Sequence, residues 1–208
     1  MNQLLIHQAD CSEQASDQTL FGGQPSTPAN TVTWPLCREC GGAMQFQGQI
    51  RSRDDELLLL FMCQNDPGGC EEWDASEGGN RALAVSPHDL QLLPPPEQGE
   101  TLRDTRYGAV LQSIDQADYD QARDQWIADT GQAGRQVLGQ QGGQPAWLQN
   151  EETPNCDVCA QPMEFVAQLE QGPDWKTEMN FGGGGCAYVF RCGCQGTPAK
   201  SAKWLWQC

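Results

Sequence analysis

Residues 36–50 read Leu-Cys-Arg-Glu-Cys-Gly-Gly-Ala-Met-Gln-Phe-Gln-Gly-Gln-Ile, and residues 155–169 read Asn-Cys-Asp-Val-Cys-Ala-Gln-Pro-Met-Glu-Phe-Val-Ala-Gln-Leu. Both stretches carry Cys-x-x-Cys, then Met, Phe and Gln at matching offsets, then an aliphatic residue. An apolar segment follows each: Leu-Leu-Leu-Phe-Met-Cys ending at Cys63 and Ala-Tyr-Val-Phe-Arg-Cys ending at Cys192. Each half adds one more close cysteine, Cys70 and Cys194. A Cys-x-x-Cys knuckle turns tightly enough to aim two sulfurs at one ion, and a second pair from a neighbouring hairpin completes a tetrahedron.

The expected metal ligands are therefore Cys37, Cys40, Cys63 and Cys70 in the first half, and Cys156, Cys159, Cys192 and Cys194 in the second. Four thiolates leave no open coordination position, so the expected cofactors are two structural zinc ions. Cys208 or Cys186 can replace Cys194 as the fourth ligand of the second site. The competing reading is buried free thiols or redox pairs. A thioredoxin-like pair opens a helix, whereas Pro162 and the alternating residues after each knuckle favour strands. Cys11 and Cys186 lack a knuckle partner and read as packing residues.

Working outward, residues 43–50 and 163–169 alternate as strands, and the unbroken apolar run 57–62 suits a buried strand. Residues 3–7, 81–85, 187–191 and 203–208 are further strand candidates, and 113–129 is the best helix candidate. Gly22-Gly23-Gln24-Pro25 recurs as Gly142-Gly143-Gln144-Pro145, and Pro94-Pro95-Pro96 marks a boundary. This divides the chain into an N-terminal half (1–98), a helical linker (99–136) and a C-terminal half (137–208), forming one compact pseudo-symmetric unit.

The chain has 208 residues, enough to bury a real core, so metal acts as a local staple. Its formal charge of −16 argues against nucleic acid, because a phosphate backbone needs a basic footprint. An acidic surface gives solubility, and it also attracts a basic protein partner by long-range steering. Eleven cysteines and no visible signal peptide fit a reducing cytoplasm better than a disulfide scaffold. No apolar stretch reaches the roughly 18 residues of a membrane span. The two histidines, His7 and His88, fall in no nucleophile, zinc-protease or phosphate-loop pattern, so no catalytic or cofactor-binding residues are assigned and no enzyme is expected. Most of the seven tryptophans sit near knuckles or element ends and read as core. Trp175, in the insertion 174–185, reads as an exposed anchor for a partner.

Gly22-Gly23-Gln24-Pro25, Trp34-Pro35, the first knuckle, Met44-x-Phe46-x-x-Gln49-Ile50 and the ending Trp206-Gln207-Cys208 together resemble the YwqG-like family of bacterial proteins. The second half, with Gly142-Gly143-Gln144-Pro145-Ala146-Trp147-Leu148 before its knuckle, is also similar to the eukaryotic programmed cell death 2 family. The resemblance implies a β-rich α+β fold of two similar halves and no established catalysis, to which the cysteine pattern adds a four-cysteine zinc-knuckle hairpin in each half. The eukaryotic relatives act as dedicated chaperones for a ribosomal protein. Some bacterial relatives are proposed immunity proteins against secreted toxins. Many bacterial members lack the zinc cysteines, so this chain departs from them. The expected function is a non-enzymatic, zinc-stabilised protein-binding module, either neutralising a basic toxin or holding a basic client such as a ribosomal protein. The remaining alternative is an enzyme of unknown chemistry, which a deep pocket joining His7 or His88 to convergent carboxylates would favour.

Overall fold

The computed structural model describes residues 2–9, 11–52, 55–194 and 202–208. Strand β1 (Gln3–Gln8) is followed by β2 (Leu20–Gly22), β3 (Ser26–Pro28), β4 (Gln45–Arg51), β5 (Leu57–Met62), β6 (Asn80–Val85), β7 (Leu90–Leu92) and β8 (Arg106–Ser113). Helix α1 (Tyr119–Thr130) and a 3-10 turn at Gly134–Gln136 lead to β9 (Val137–Gln141), β10 (Glu164–Leu169), β11 (Cys186–Arg191) and β12 (Ala202–Gln207).

Ten of these strands form one antiparallel sheet in the order β12-β11-β10-β9-β1-β8-β2-β4-β5-β6, while β3 and β7 pair separately. The sheet curls until its edge strands β6 and β12 lie together. Across this seam Trp204 Nε1 donates to the Phe61 carbonyl (3.2 Å), Trp206 N donates to the Trp73 carbonyl (3.1 Å), and Arg191 Nε donates to Glu56 Oε2 (2.6 Å). The result is a nearly closed barrel.

This corrects the α+β, two-half architecture expected from the sequence and implied by the resemblance. Among the described residues strands hold 35% and helical turns 8%, with a single α-helix. The sheet does not divide, because β1 pairs with β8 on one side and with β9 on the other. Residues 99–136, read as a helical linker, contain β8 near the middle of the sheet as well as α1. The helix starts later than the 113–129 expectation, because residues up to Ser113 belong to β8 and the Asp118 side chain accepts from Gln121 N (2.9 Å) as the N-cap.

Alternation along the strands explains the packing. Leu58, Leu60 and Met62 face the barrel interior, in a core to which all ten strands contribute. Leu57, Leu59 and Phe61 face outward, beneath the first knuckle. Both faces of β5 are buried, which is why 57–62 reads as an unbroken apolar run. Tyr188, Phe190 and Leu205 form the matching outer cluster beneath the second knuckle. Helix α1 covers β1 and β9 with Tyr119, Ala122 and Trp126. Among the described residues no helix is long and apolar enough to cross a membrane.

Candidate metal centres

Both knuckles fold through the same local hydrogen bonds. In the first, Cys37 N donates to the Gly42 carbonyl (2.8 Å), Gly41 N to the Cys37 carbonyl (3.0 Å) and Met44 N to the Pro35 carbonyl (3.0 Å). In the second, Cys156 N donates to Gln161 O (2.9 Å), Ala160 N to Cys156 O (2.9 Å) and Met163 N to Pro154 O (2.9 Å). The turn needs a left-handed residue, supplied by Gly41 at φ 71° and by Ala160 at φ 57°. Each knuckle precedes the first strand of a hairpin, β4–β5 or β10–β11, and the second hairpin strand runs back to deliver Cys63 or Cys192 beside it.

The structure brings all eight candidate ligands together in two groups. Cys37, Cys40, Cys63 and Cys70 form one, and Cys156, Cys159, Cys192 and Cys194 the other; within each, every sulfur lies within 4.8 Å of the rest. Cys194 completes the second group. Cys186 is buried within β11, with burial pushing its thiol up to about 12, and Cys208 is exposed at the chain end. Cys11 lines a groove with Leu20 and Val110.

The sulfur spacing fits a metal ion. Cys40 and Cys63 Sγ are 3.7 Å apart, while Cys156–Cys194 and Cys159–Cys192 are each 3.5 Å apart. Tetrahedral sulfurs at about 2.3 Å from zinc stand about 3.8 Å from one another. A disulfide would bring them to about 2.05 Å, and none of the eleven cysteines is in a disulfide. Two four-thiol groups thus have the donor set and spacing of a metal centre, without identifying the metal.

The electrostatics agree. In the first group burial pushes up the thiols of Cys37 and Cys70, while the Gly42 N–H holds Cys40 down. In the second, N–H groups of Cys159 and Val158 bring Cys156 down to about 6, and the adjoining sulfur of Cys192 pushes Cys194 up to about 12. Four thiols this close cannot all ionise against one another; a divalent cation at their centre removes the conflict.

Several supporting residues had no role assigned from sequence. Asn65 Nδ2 donates to Cys63 Sγ (3.5 Å) and to the Ala43 carbonyl (3.0 Å), tying the loop between Cys63 and Cys70 to the knuckle. Gln49, fully buried, accepts from Ser26 N (3.1 Å) and donates to the carbonyls of Ser16 (2.7 Å) and Gln18 (2.9 Å). Gln168 accepts from Ala146 N (2.8 Å). Both glutamines therefore hold the residue that follows a Gly-Gly-Gln-Pro turn, whose two glycines are left-handed in each copy (φ 67–76°). Their matching offset in the two repeats was the available signal.

Neither histidine belongs to a cysteine group, although His88 lines a cavity with Cys192 and Cys194. His7 Nδ1 is 2.8 Å from Gln136 Oε1 and its ring meets Tyr107 edge-on, while exposed His88 pairs with Asp55 (3.2 Å). Trp175 is 69% exposed, with Lys176 Nζ 5.5 Å from its ring. No family model matches the chain, and no curated protein matches it significantly.

Proposed function

We propose that this chain is a zinc-stabilised, non-catalytic binding module for a basic protein. The observation that carries the reading is that each metal centre is a closed set of four cysteine sulfurs on a barrel hairpin. Such a set favours zinc, gives it no open position, and suits a structural role. Two ions held by eight thiolates would take the formal charge from −16 to about −20. An exterior this acidic steers a basic partner, and exposed Trp175 offers an apolar anchor. A cytoplasmic, reducing setting keeps the thiolates available.

The resemblance stated above makes neutralisation of a basic toxin the first form of this activity, with a holder for a basic client as its alternative. Elemental analysis with a native free-thiol count tests the metal: two zinc ions per chain are expected, with Cys11 and Cys208 reactive and buried Cys186 protected. Zinc-free protein with most thiols reactive would overturn it. Association with basic proteins should then weaken steeply with salt, chiefly through the on-rate. Tight binding to a folded toxin with loss of its activity favours neutralisation; preference for unfolded client favours holding.

A further inference from the structure

The barrel seam carries a cavity of about 190 Å³ whose lining includes Arg38, Arg81, Lys203, Ser76 and Asp157. Three cationic side chains meeting at one small cavity is unexpected in a chain with 12 basic and 28 acidic residues. They arrive from different places. Arg38 stands inside the first knuckle, Arg81 on β6 and Lys203 on β12. Asp157, at the position in the second knuckle that Arg38 holds in the first, faces the same cavity.

The arrangement is built. Arg38 N donates to the Gly78 carbonyl (3.1 Å), and the Arg38 stem lies across Gly78, where a Cβ would fall 2.7 Å from that of Arg38. Only a glycine, here at φ 89°, leaves room for the stem. Lys203 is 8% exposed, and its Nζ donates to Asp157 Oδ1 (2.7 Å) and Ser76 Oγ (3.4 Å). Among the described residues no carboxylate pairs with the guanidinium of Arg38 or of Arg81, and both side chains are exposed. With Asp157 balancing Lys203, the cavity retains two uncompensated positive charges on two planar forks.

We propose that this seam cavity is an oxyanion site that takes the dianionic head of a phosphomonoester or phosphate. Guanidinium forks bind such oxygens in bidentate fashion, Ser76 offers a hydroxyl, and the two spare charges match a dianion. The site goes beyond the zinc-module reading. It would be a spot of opposite sign on an otherwise acidic molecule, held in shape from both knuckles.

The test is calorimetric titration of the full, zinc-containing chain at low salt with inorganic phosphate, with acetate, and with a short phosphoserine peptide beside its unphosphorylated form. Saturable one-to-one binding of phosphate is expected, with acetate much weaker. Arg81→Gln should weaken it by about ten-fold, and Arg38→Gln with Arg81→Gln by more. A phosphopeptide that binds more tightly than free phosphate assigns the ligand to a modified protein; the reverse assigns it to the free ion. Zinc content measured on each variant separates loss of the site from loss of a metal centre, and Arg81→Gln leaves both knuckles untouched. Absence of saturable phosphate binding, equal binding by the double variant with its zinc intact, or acetate binding as tightly as phosphate would each overturn the proposal.

Discussion

The two cysteine groups share one local hydrogen-bond pattern and differ in how deeply they are set. In the first, Cys37, Cys63 and Cys70 are at most 2% exposed and Asn65 braces the connecting loop. In the second, only Cys156 is buried, and Cys159, Cys192 and Cys194 are partly exposed. The same knuckle therefore serves two energetic roles. The first centre is embedded in the outer core of β4, β5 and β6, where Trp34 meets Phe61 edge-on (5.4 Å). The second sits at the rim, against Trp147 and Phe190, stacked at 5.9 Å.

The largest expected effect follows from that difference. Cys63→Ser should remove metal from the first centre and cost on the order of 5 kcal/mol, and Cys192→Ser should cost roughly 2–3 kcal/mol, by equilibrium denaturation with zinc analysis. Equal costs would break the comparison. Next, a chelator should empty the metal-loaded protein in two phases, the faster belonging to the second centre. Single-centre variants assign the phases, and a faster first centre would reverse the ranking.

Acidity sharpens the comparison further. In metal-stripped protein the Cys156 thiol lies near 6, below its ordinary 9.0, because N–H groups of Cys159 and Val158 point at it. A lowered folded-state value means that ionisation stabilises the folded state. That contribution is complete above pH 9 and is lost as pH falls through about 6. Alkylation of Cys156 should therefore rise through pH 6 and then level off, read by peptide mass spectrometry; a rate still climbing beyond pH 8 would contradict it. Cys186, pushed up to about 12, should stay unmodified throughout.

The smallest effect isolates the backbone. Ala160→Gly should stabilise the second knuckle by about 1 kcal/mol, because an L side chain is disfavoured at φ 57°. Gly41→Ala should cost the first a similar amount, since nothing lies within 4 Å of where its Cβ would stand. Thermal denaturation of both variants checks the pair.

What was legible in the sequence was local. The alternation at 43–50, the apolar run at 57–62 and the repeated knuckle spacing placed the hairpins that carry all eight candidate ligands. The choice of Cys194 over Cys208 was not legible, because it depends on where β11 ends against the knuckle. Strand β8 reads as linker: Tyr107 and Gly108 are buried, but Val110 to Ser113 are exposed, so no alternation marks it. Strands β2, β3 and β7 have three residues each, too few for a pattern. The single, nearly closed sheet was missed because its decisive pairings, Leu5 with Leu111 and with Gly139, join residues far apart in the chain. Such pairings leave no periodicity to read.

The central position of β1 has a consequence for the order of events during synthesis. Its two neighbours are β8 and β9, so β1 can first pair when residue 113 has been made and gains its second partner only with residue 141. The β4–β5–β6 segment runs from Gln45 to Val85 and contains Cys63 and Cys70, with Cys37 and Cys40 just before it. Its contacts are close in sequence and form early. A cation captured there would hold a folded seed together while the amino-terminal strand waits, unpaired, for the chain that completes the barrel around it.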